Sequence, residues 1–424
     1  MSFKRFYRYD FAVTQVLIDL TSKYDGIAVS AHILAYTPTS VVQIINETKK
    51  HFFVDPMTFV FARDLDSISK NGKMKKSYLK LIEAYGPPFS QCESGDKLIP
   101  SQFKDAIGEL DESLINGICR RILQFQLEKC VVPTDFSKYK RILKKGEKPH
   151  SVSPSFLVAP YFFANRHGGE WYNISLQFAK EARTLKGDSQ LYPVICIASD
   201  ILWDDIQISN IVRDYEGFDG YLIWMDNLNE KTISETELRG LKKLVSTLAA
   251  YGKPVYSLYG GFLFDLLRKF GLSGYSSGIC YGERRSVDTK GGGAGNRYYI
   301  PTVHLKISED LANLFFSESE RNRNLICSCP TCSEISENLP SSLNAKEYSD
   351  RFFTLMDFLD FRRHFVNAKY QENRVLENMN NEQVLAMLDN DISTISNIDS
   401  FSGKPSELSS RHLRFWRTLF YMHA

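Results

Sequence analysis

Eight short apolar runs set the limits on what this chain can become. They are GIAVSAH from Gly26, HFFVDPMT from His51, SFLVAPYFF from Ser155, LYPVICIAS from Leu191, GYLIWMDN from Gly220, KPVYSLYGG from Lys253, GYSSGICYG from Gly274 and YYIPTVHLKI from Tyr298. Each is nearly continuous in hydrophobicity rather than alternating, the pattern of a strand covered on both faces, as in a parallel sheet flanked by helices. Amphipathic segments such as ISLQFAKEARTL and SETELRGLKKLVSTLAAYG lie between the runs. The second opens on a Ser-x-x-Glu cap and reaches a helix stop at Gly252. Strands alternating with helices predict an α/β protein of the (β/α)8 TIM-barrel type, with the barrel over 25–326 and an N-terminal segment over 1–24. A doubly wound open sheet is the alternative. No G-x-G-x-x-G follows the first run, which counts against a dinucleotide-binding version.

The spacing is uneven: about a hundred residues separate the second and third runs, far more than elsewhere. The stretch of about 62–150 holds helical patterns such as SLINGICRRILQFQLEKC and predicts a helical insertion. It ends in a basic run with Lys138, Lys140, Arg141, Lys144, Lys145 and Lys148, which suits either phosphate contact or a solvated loop. The loop GERRSVDTKGGGAGNRYY follows the seventh run and carries Glu283, Arg284, Arg285, Lys290 and Arg297. In a barrel it would sit at the C-terminal ends of the strands, the face that carries active sites and often a phosphate. A mobile glycine-rich loop is the plain alternative.

Near the end, Cys327, Cys329 and Cys332 stand in CSCPTC, and His364 follows in FRRHFVNAKYQ. Three thiolates and an imidazole are a ligand set that tetrahedral zinc prefers, with no open position, so the site is predicted to be structural, in a subdomain over 327–372. Free surface cysteines, a redox role or an iron–sulfur role are the alternatives. The tail over 373–424 reads as helical, and its aromatic end, RHLRFWRTLFY, fits packing on the barrel or on a partner chain.

Hydrophobic residues make up 43% and charged residues 24% of the 424, with a net charge of +2. That is a folded protein whose nucleic-acid binding, if any, is local. The other five cysteines are scattered, which excludes a disulfide scaffold. No apolar stretch reaches a membrane span. The expectation is a cytoplasmic protein.

GFDGYLIWMDNLNE (Gly217 to Glu230) resembles a run of the tRNA-guanine transglycosylase family, matching it at Gly217, Phe218, Asp219, Gly220, Tyr221, Ile223 and Glu230. KPVYSLYGGFLFDLLRKFGLSGYSSG resembles the family's next strand, HFFVDPMTFV keeps an aspartate and a phenylalanine as Asp55 and Phe59, and the cysteine motif closes the order. The resemblance implies a barrel with a structural zinc, in which one aspartate attacks a sugar anomeric carbon and another handles protons while a purine or 7-deazaguanine is exchanged. Asp55 takes the proton-handling place, and Ser276 stands where the attacking aspartate belongs. Trp224 and Met225 replace a glycine pair of the base pocket, Cys196 and Ile197 replace Gln-Gly, and Tyr161 falls near a base-gripping aspartate. Asp226 is then a displaced nucleophile or an ordinary strand-end acid, and Glu283, Arg284 and Arg285 are substrate-binding candidates, with a plain Glu283 pairing to Arg284 or Arg285 as the alternative. His167, after the third run, is a further acid–base candidate. Two functions follow: base exchange on DNA or RNA, with the DNA-modifying 7-deazaguanine branch as the nearest subtype, or a catalytically inactive, nucleic-acid-binding or scaffold subunit that works with a second copy or another protein.

Overall fold

The computed structural model describes residues 2–105, 110–130, 151–280, 285–288, 295–396, 408 and 411–421. Seven strands form one sheet: β1 (Lys4–Arg8), β2 (Gly26–Ser30), β3 (His51–Asp55), β6 (Val194–Ala198), β7 (Tyr221–Asp226), β8 (Val255–Ser257) and β9 (Gly274–Ser277), in the order β3-β2-β1-β9-β8-β7-β6. Every neighbouring pair is parallel. Two short strands, β4 (Leu157–Val158) and β5 (Leu191–Tyr192), pair in parallel, and β5 runs into β6 across Pro193. The segment that carries β4 reaches both edges of the large sheet. Ser155 N–H donates to Phe52 O on β3 at 2.8 Å, and Ala164 bridges Ile197 on β6.

Two sequence expectations need correction. The N-terminal segment is not outside the sheet: β1 sits at its centre, between β2 and β9. And the eighth apolar run is not a barrel strand. It folds as a separate antiparallel hairpin, β10 (Arg297–Ile300) with β11 (Leu305–Ser308), turning at His304 with φ +57°.

An aromatic layer fills the inside of the sheet. Phe6 from β1 meets Phe53 from β3 at 5.3 Å and Tyr256 from β8 at 5.6 Å, and Phe156 stacks on Phe53 at 5.0 Å and on Tyr192 at 4.1 Å. The strands between must then be bare at this level. A Cβ on Gly26 or on Gly220 would come within 2.4 Å of Phe6 or of Tyr192, respectively, so glycine is required there by packing rather than by turn geometry.

The helices cover the outer side. Glu235–Ala250 starts at Ser234, whose side chain and Glu237 form the reciprocal cap expected from the sequence, and Gly252 follows at φ +69°. Within the insertion, Glu112–Glu128 brings Gln126 against Val158: the side-chain amide donates to Val158 O at 2.8 Å and accepts from Val158 N–H at 2.9 Å. A buried glutamine thus replaces the missing strand partner of the short β4. The basic run between Lys138 and Lys148 lies outside the described residues. The tail packs on its own chain: Trp416 Nε1–H donates to Glu230 O at 3.0 Å, and Lys242 Nζ to Leu419 O at 3.1 Å. No helix among the described residues is long and apolar enough to cross a membrane.

The long helix Phe358–Asn378 joins the C-terminal region to the sheet. Phe365 packs on Tyr7 at 6.1 Å. Below it lies a buried ionic network: Lys369 Nζ is 2.6 Å from Asp265 and 2.9 Å from Glu372, and His304 bridges Glu372 at 2.7 Å and Asp391 at 3.1 Å. Arg5 Nε lies 3.6 Å from Asp265.

Candidate functional site

The same helix supplies His364 to the cysteine cluster. Pro330 starts the helix Pro330–Glu337 directly after Cys329, which folds the three cysteines back on one another. All four side chains are buried and their ligand atoms lie within 4.8 Å of one another. A tetrahedron with sulfur ligands at about 2.3 Å has edges near 3.8 Å, so the cage fits one ion. The surroundings are set for it. His364 Nε2–H donates to Tyr299 O at 2.7 Å, which turns the lone pair of Nδ1 toward Cys329 and Cys332, at 3.4 and 3.2 Å. Tyr298 stacks on the imidazole at 4.1 Å and its hydroxyl lies 3.4 Å from Cys332 Sγ. Outer partners of this kind fix the tautomer and direction of a ligating histidine. The four predicted residues therefore come together as a candidate metal centre.

The second cluster lies where the strands end. Asp55, the last residue of β3, is wholly buried. Its Oδ1 accepts from Tyr161 Oη–H at 2.9 Å and from Met57 N–H at 3.1 Å, and its Oδ2 is held by the Arg8 guanidinium at the end of β1. Arg8 also lies over the Tyr259 ring at 4.3 Å. Met57 takes the left-handed φ of +53°, which turns the chain after Asp-Pro and lets its sulfur meet His32 Nδ1 at 3.2 Å. Ser276 is buried beside Arg8; its hydroxyl donates to Leu258 O and stands 3.5 Å from the guanidinium. An arginine cannot act as the base that a serine nucleophile needs.

Trp224 is 2% exposed and fills the space between Phe59 at 4.8 Å, Tyr259 at 4.9 Å and Tyr161 at 6.5 Å. Cys196 is its cross-strand neighbour, and Met225 is the neighbour of Ile197. Burial, then Asp226 and Asp55, push the Cys196 thiol far up, so it is an inert thiol. Asp226 accepts from Val287 N–H at 2.7 Å, and burial raises its pKa above the ordinary carboxylate value despite that bond. His167 is tied to Asp214 at 2.8 Å, away from Asp55 and alongside Tyr172. Glu230, matched in the resemblance, accepts Gly261 N–H at 2.5 Å and Leu263 N–H at 2.9 Å and so caps the helix Phe262–Leu267. Glu283, Arg284 and Lys290 lie outside the described residues.

Asp55, Ser276, Tyr161, Cys196, Trp224 and Arg285 thus lie toward one end of the sheet. Sequence reasoning missed Arg8, His32 and Tyr259. Arg8 stands in a run of mixed basic and aromatic residues, KRFYRY, that gives no sign of burial.

Fold and clusters together define a mixed α/β protein with a parallel sheet, a polar–aromatic cluster at the strand ends and a buried Cys3His group able to hold a metal ion. No protein-family model matches the chain, and no curated protein matches it. Among solved structures, a GH10 endoxylanase from a sugarcane soil metagenome superposes with a TM-score of 0.33 at 9% identity, over 61% of this chain and 69% of that one. Endo-1,4-beta-D-xylanase 10B of Clostridium thermocellum gives 0.36 at 10% identity, over 65% and 58%. Superpositions this loose carry no argument about activity, and the description of the fold rests on the strand pairings above.

Proposed function

We propose that this chain is a divergent transglycosylase-type barrel that binds nucleic acid at its strand ends and does not itself exchange a base. The observation that carries this reading is the state of Asp55. The one acid retained at the family's place is wholly buried, with Arg8, Tyr161 and Met57 N–H occupying its oxygens. Trp224 stands where the resemblance puts a glycine pair, and its buried ring, packed on Phe59 and Tyr259, leaves less room there for a flipped base than glycine would. The segment around β4, touching both sheet edges, supports closure into an eight-stranded barrel, as does the aromatic layer shared by β1, β3, β5 and β8. Zinc is the metal whose ligand preferences match three thiolates and an imidazole, and thiolates of this kind require a reducing compartment such as the cytoplasm.

A second reading keeps catalysis. Asp226 favours it: a half-buried strand-end acid whose pKa is raised by burial suits proton transfer or attack. Under this reading the neighbouring aromatic cluster opens to admit a base.

Nucleic-acid binding is tested by measuring the affinity of the full chain for tRNA and for duplex DNA as salt is raised. Each neutralised phosphate contributes about −0.9 to the log–log slope on duplex, so a site using three cations predicts roughly −3 for one of the two polymers. A flat response with both contradicts the reading.

A further inference from the structure

Four hydrogen bonds from neighbouring elements act on one short segment, 285–288. Trp224 Nε1–H donates to Arg285 O at 3.3 Å, and Asn227 N–H donates to the same oxygen at 3.1 Å. Asp226 takes Val287 N–H, and Arg63 pairs with Asp288, with Nε 2.9 Å from Oδ1. Asn227 adopts the left-handed φ of +61° to make its bond. The end of β7 is therefore a clamp, and Trp224 and Asp226 are anchors of the loop. The clamp holds one side chain over the strand ends: Arg285, whose guanidinium lies 5.9 Å from the Tyr259 ring.

Arg8 approaches the same ring. Two guanidinium groups are thus gathered around one tyrosine, where like charges repel unless an anion joins them. Asp55 answers Arg8 alone. Arg285 Nε is buried and has no hydrogen-bond partner among the described residues. A buried donor left without an acceptor is destabilising, and that cost is removed when a ligand supplies the acceptor. His32, stacked on Tyr78 at 4.6 Å, lies in the same field. Burial first, and then Arg285, Arg8 and Lys75, push its imidazole down to about 3, so it is neutral and able to bond an anion without adding charge. Lys75 itself donates to Ser67 O at 3.1 Å and keeps two further ammonium donors.

We propose that Arg285 and Arg8, with Lys75 and His32 beside them, form a binding site for one phosphate group over the C-terminal end of the sheet. The proposal rests on the reading of this end as a nucleic-acid face and names the group recognised there. Planar guanidinium groups match phosphate oxygens two at a time. The phosphate belongs either to the backbone of a strand or to a free nucleotide.

The test is calorimetric titration of the full chain with inorganic phosphate, a 5′-mononucleotide, and a short oligonucleotide without terminal phosphates. Wild type is compared with Arg285→Gln, Arg285→Lys and Lys75→Gln. The expected result is binding of at least one probe, weakened tenfold or more by Arg285→Gln, partly restored by Arg285→Lys, and weakened several-fold by Lys75→Gln. Preference for the oligonucleotide assigns the site to a backbone phosphate; preference for the mononucleotide assigns it to a free nucleotide. Equal binding by wild type and folded Arg285→Gln, or no binding of any probe, overturns the site. If the phosphate site is overturned while tRNA or duplex binding stays salt-dependent, the nucleic-acid reading stands. If phosphate binding depends on Arg285 but neither polymer binds, that reading falls and the site remains.

Discussion

Replacing Cys329 with serine is expected to release the bound metal and to unfold the region from 327 to 372. Cys329 is wholly buried and central to the cage, with His364 Nδ1 3.4 Å from its sulfur. Structural zinc contributes roughly 10–16 kcal/mol of apparent binding free energy in isolated fingers. Even a fraction of that rivals the total stability of an ordinary domain, about 5–15 kcal/mol. The loss should spread. His364 and Lys369 share one helix, so freeing the metal end loosens the contact of that helix with β1. Metal content by mass spectrometry and calorimetric unfolding, with and without a chelator, check this. One zinc per chain and a large fall in melting temperature on chelation are predicted. A metal-free wild type with unchanged melting contradicts the cage.

The second large effect belongs to Lys369. Its ammonium is 1% exposed between two carboxylates. Burial opposes the charge, but Asp265 and Glu372 outweigh it and hold the pKa well above the usual lysine value. Lys369→Met removes the one cation shared by the two buried carboxylates and leaves Asp265 to Arg5 and Glu372 to His304, a loss of up to about 3–5 kcal/mol. Adding Asp265→Leu to it is expected to bring no recovery, because buried Arg5 then loses its own carboxylate. Denaturant unfolding of the single and double variants measures both, and a single variant as stable as wild type contradicts the network. The same group predicts a pH window. Burial raises the Glu372 pKa, but Lys369 and His304 bring it down to about 2. Its contribution is complete above the ordinary 4.5 and fades as pH falls toward 2. Burial opposes the His304 charge, while Glu372 and Asp391 raise its pKa above 6.5. That contribution is complete below 6.5 and fades as pH rises through the raised value. Stability should therefore peak on the mildly acidic side of neutrality.

The parts of this fold visible in the sequence are those whose signal is local. The runs from Gly26 and Leu191 announce strands because apolar residues cover both faces, and CSCPTC announces a metal site because three ligands fall within six residues. β1 leaves no such signal, since KRFYR sets three basic residues beside only two aromatic ones. Buried Arg5 and partly buried Arg8 are held there by Asp265 and Asp55, far along the chain. The hairpin β10–β11 was read as one strand because its four-residue turn holds Val303 and its flanks are apolar. At the strand ends, Asp55 could be placed by its position after an apolar run. Its Arg8 partner, the Trp224–Arg285 clamp and the His32 stack are contacts between distant elements, with no local trace.

Asp55 is expected to serve the structure of the strand ends and not base exchange. The most direct measurement follows labelled guanine and 7-deazaguanines entering tRNA and duplex DNA, with wild type, Asp55→Ala, Asp226→Ala and Ser276→Ala. No incorporation by any of the four, from preparations that bind one of the polymers, is the predicted result. Incorporation by wild type that disappears with Asp55→Ala or Asp226→Ala would contradict the account and make the chain a working transglycosylase.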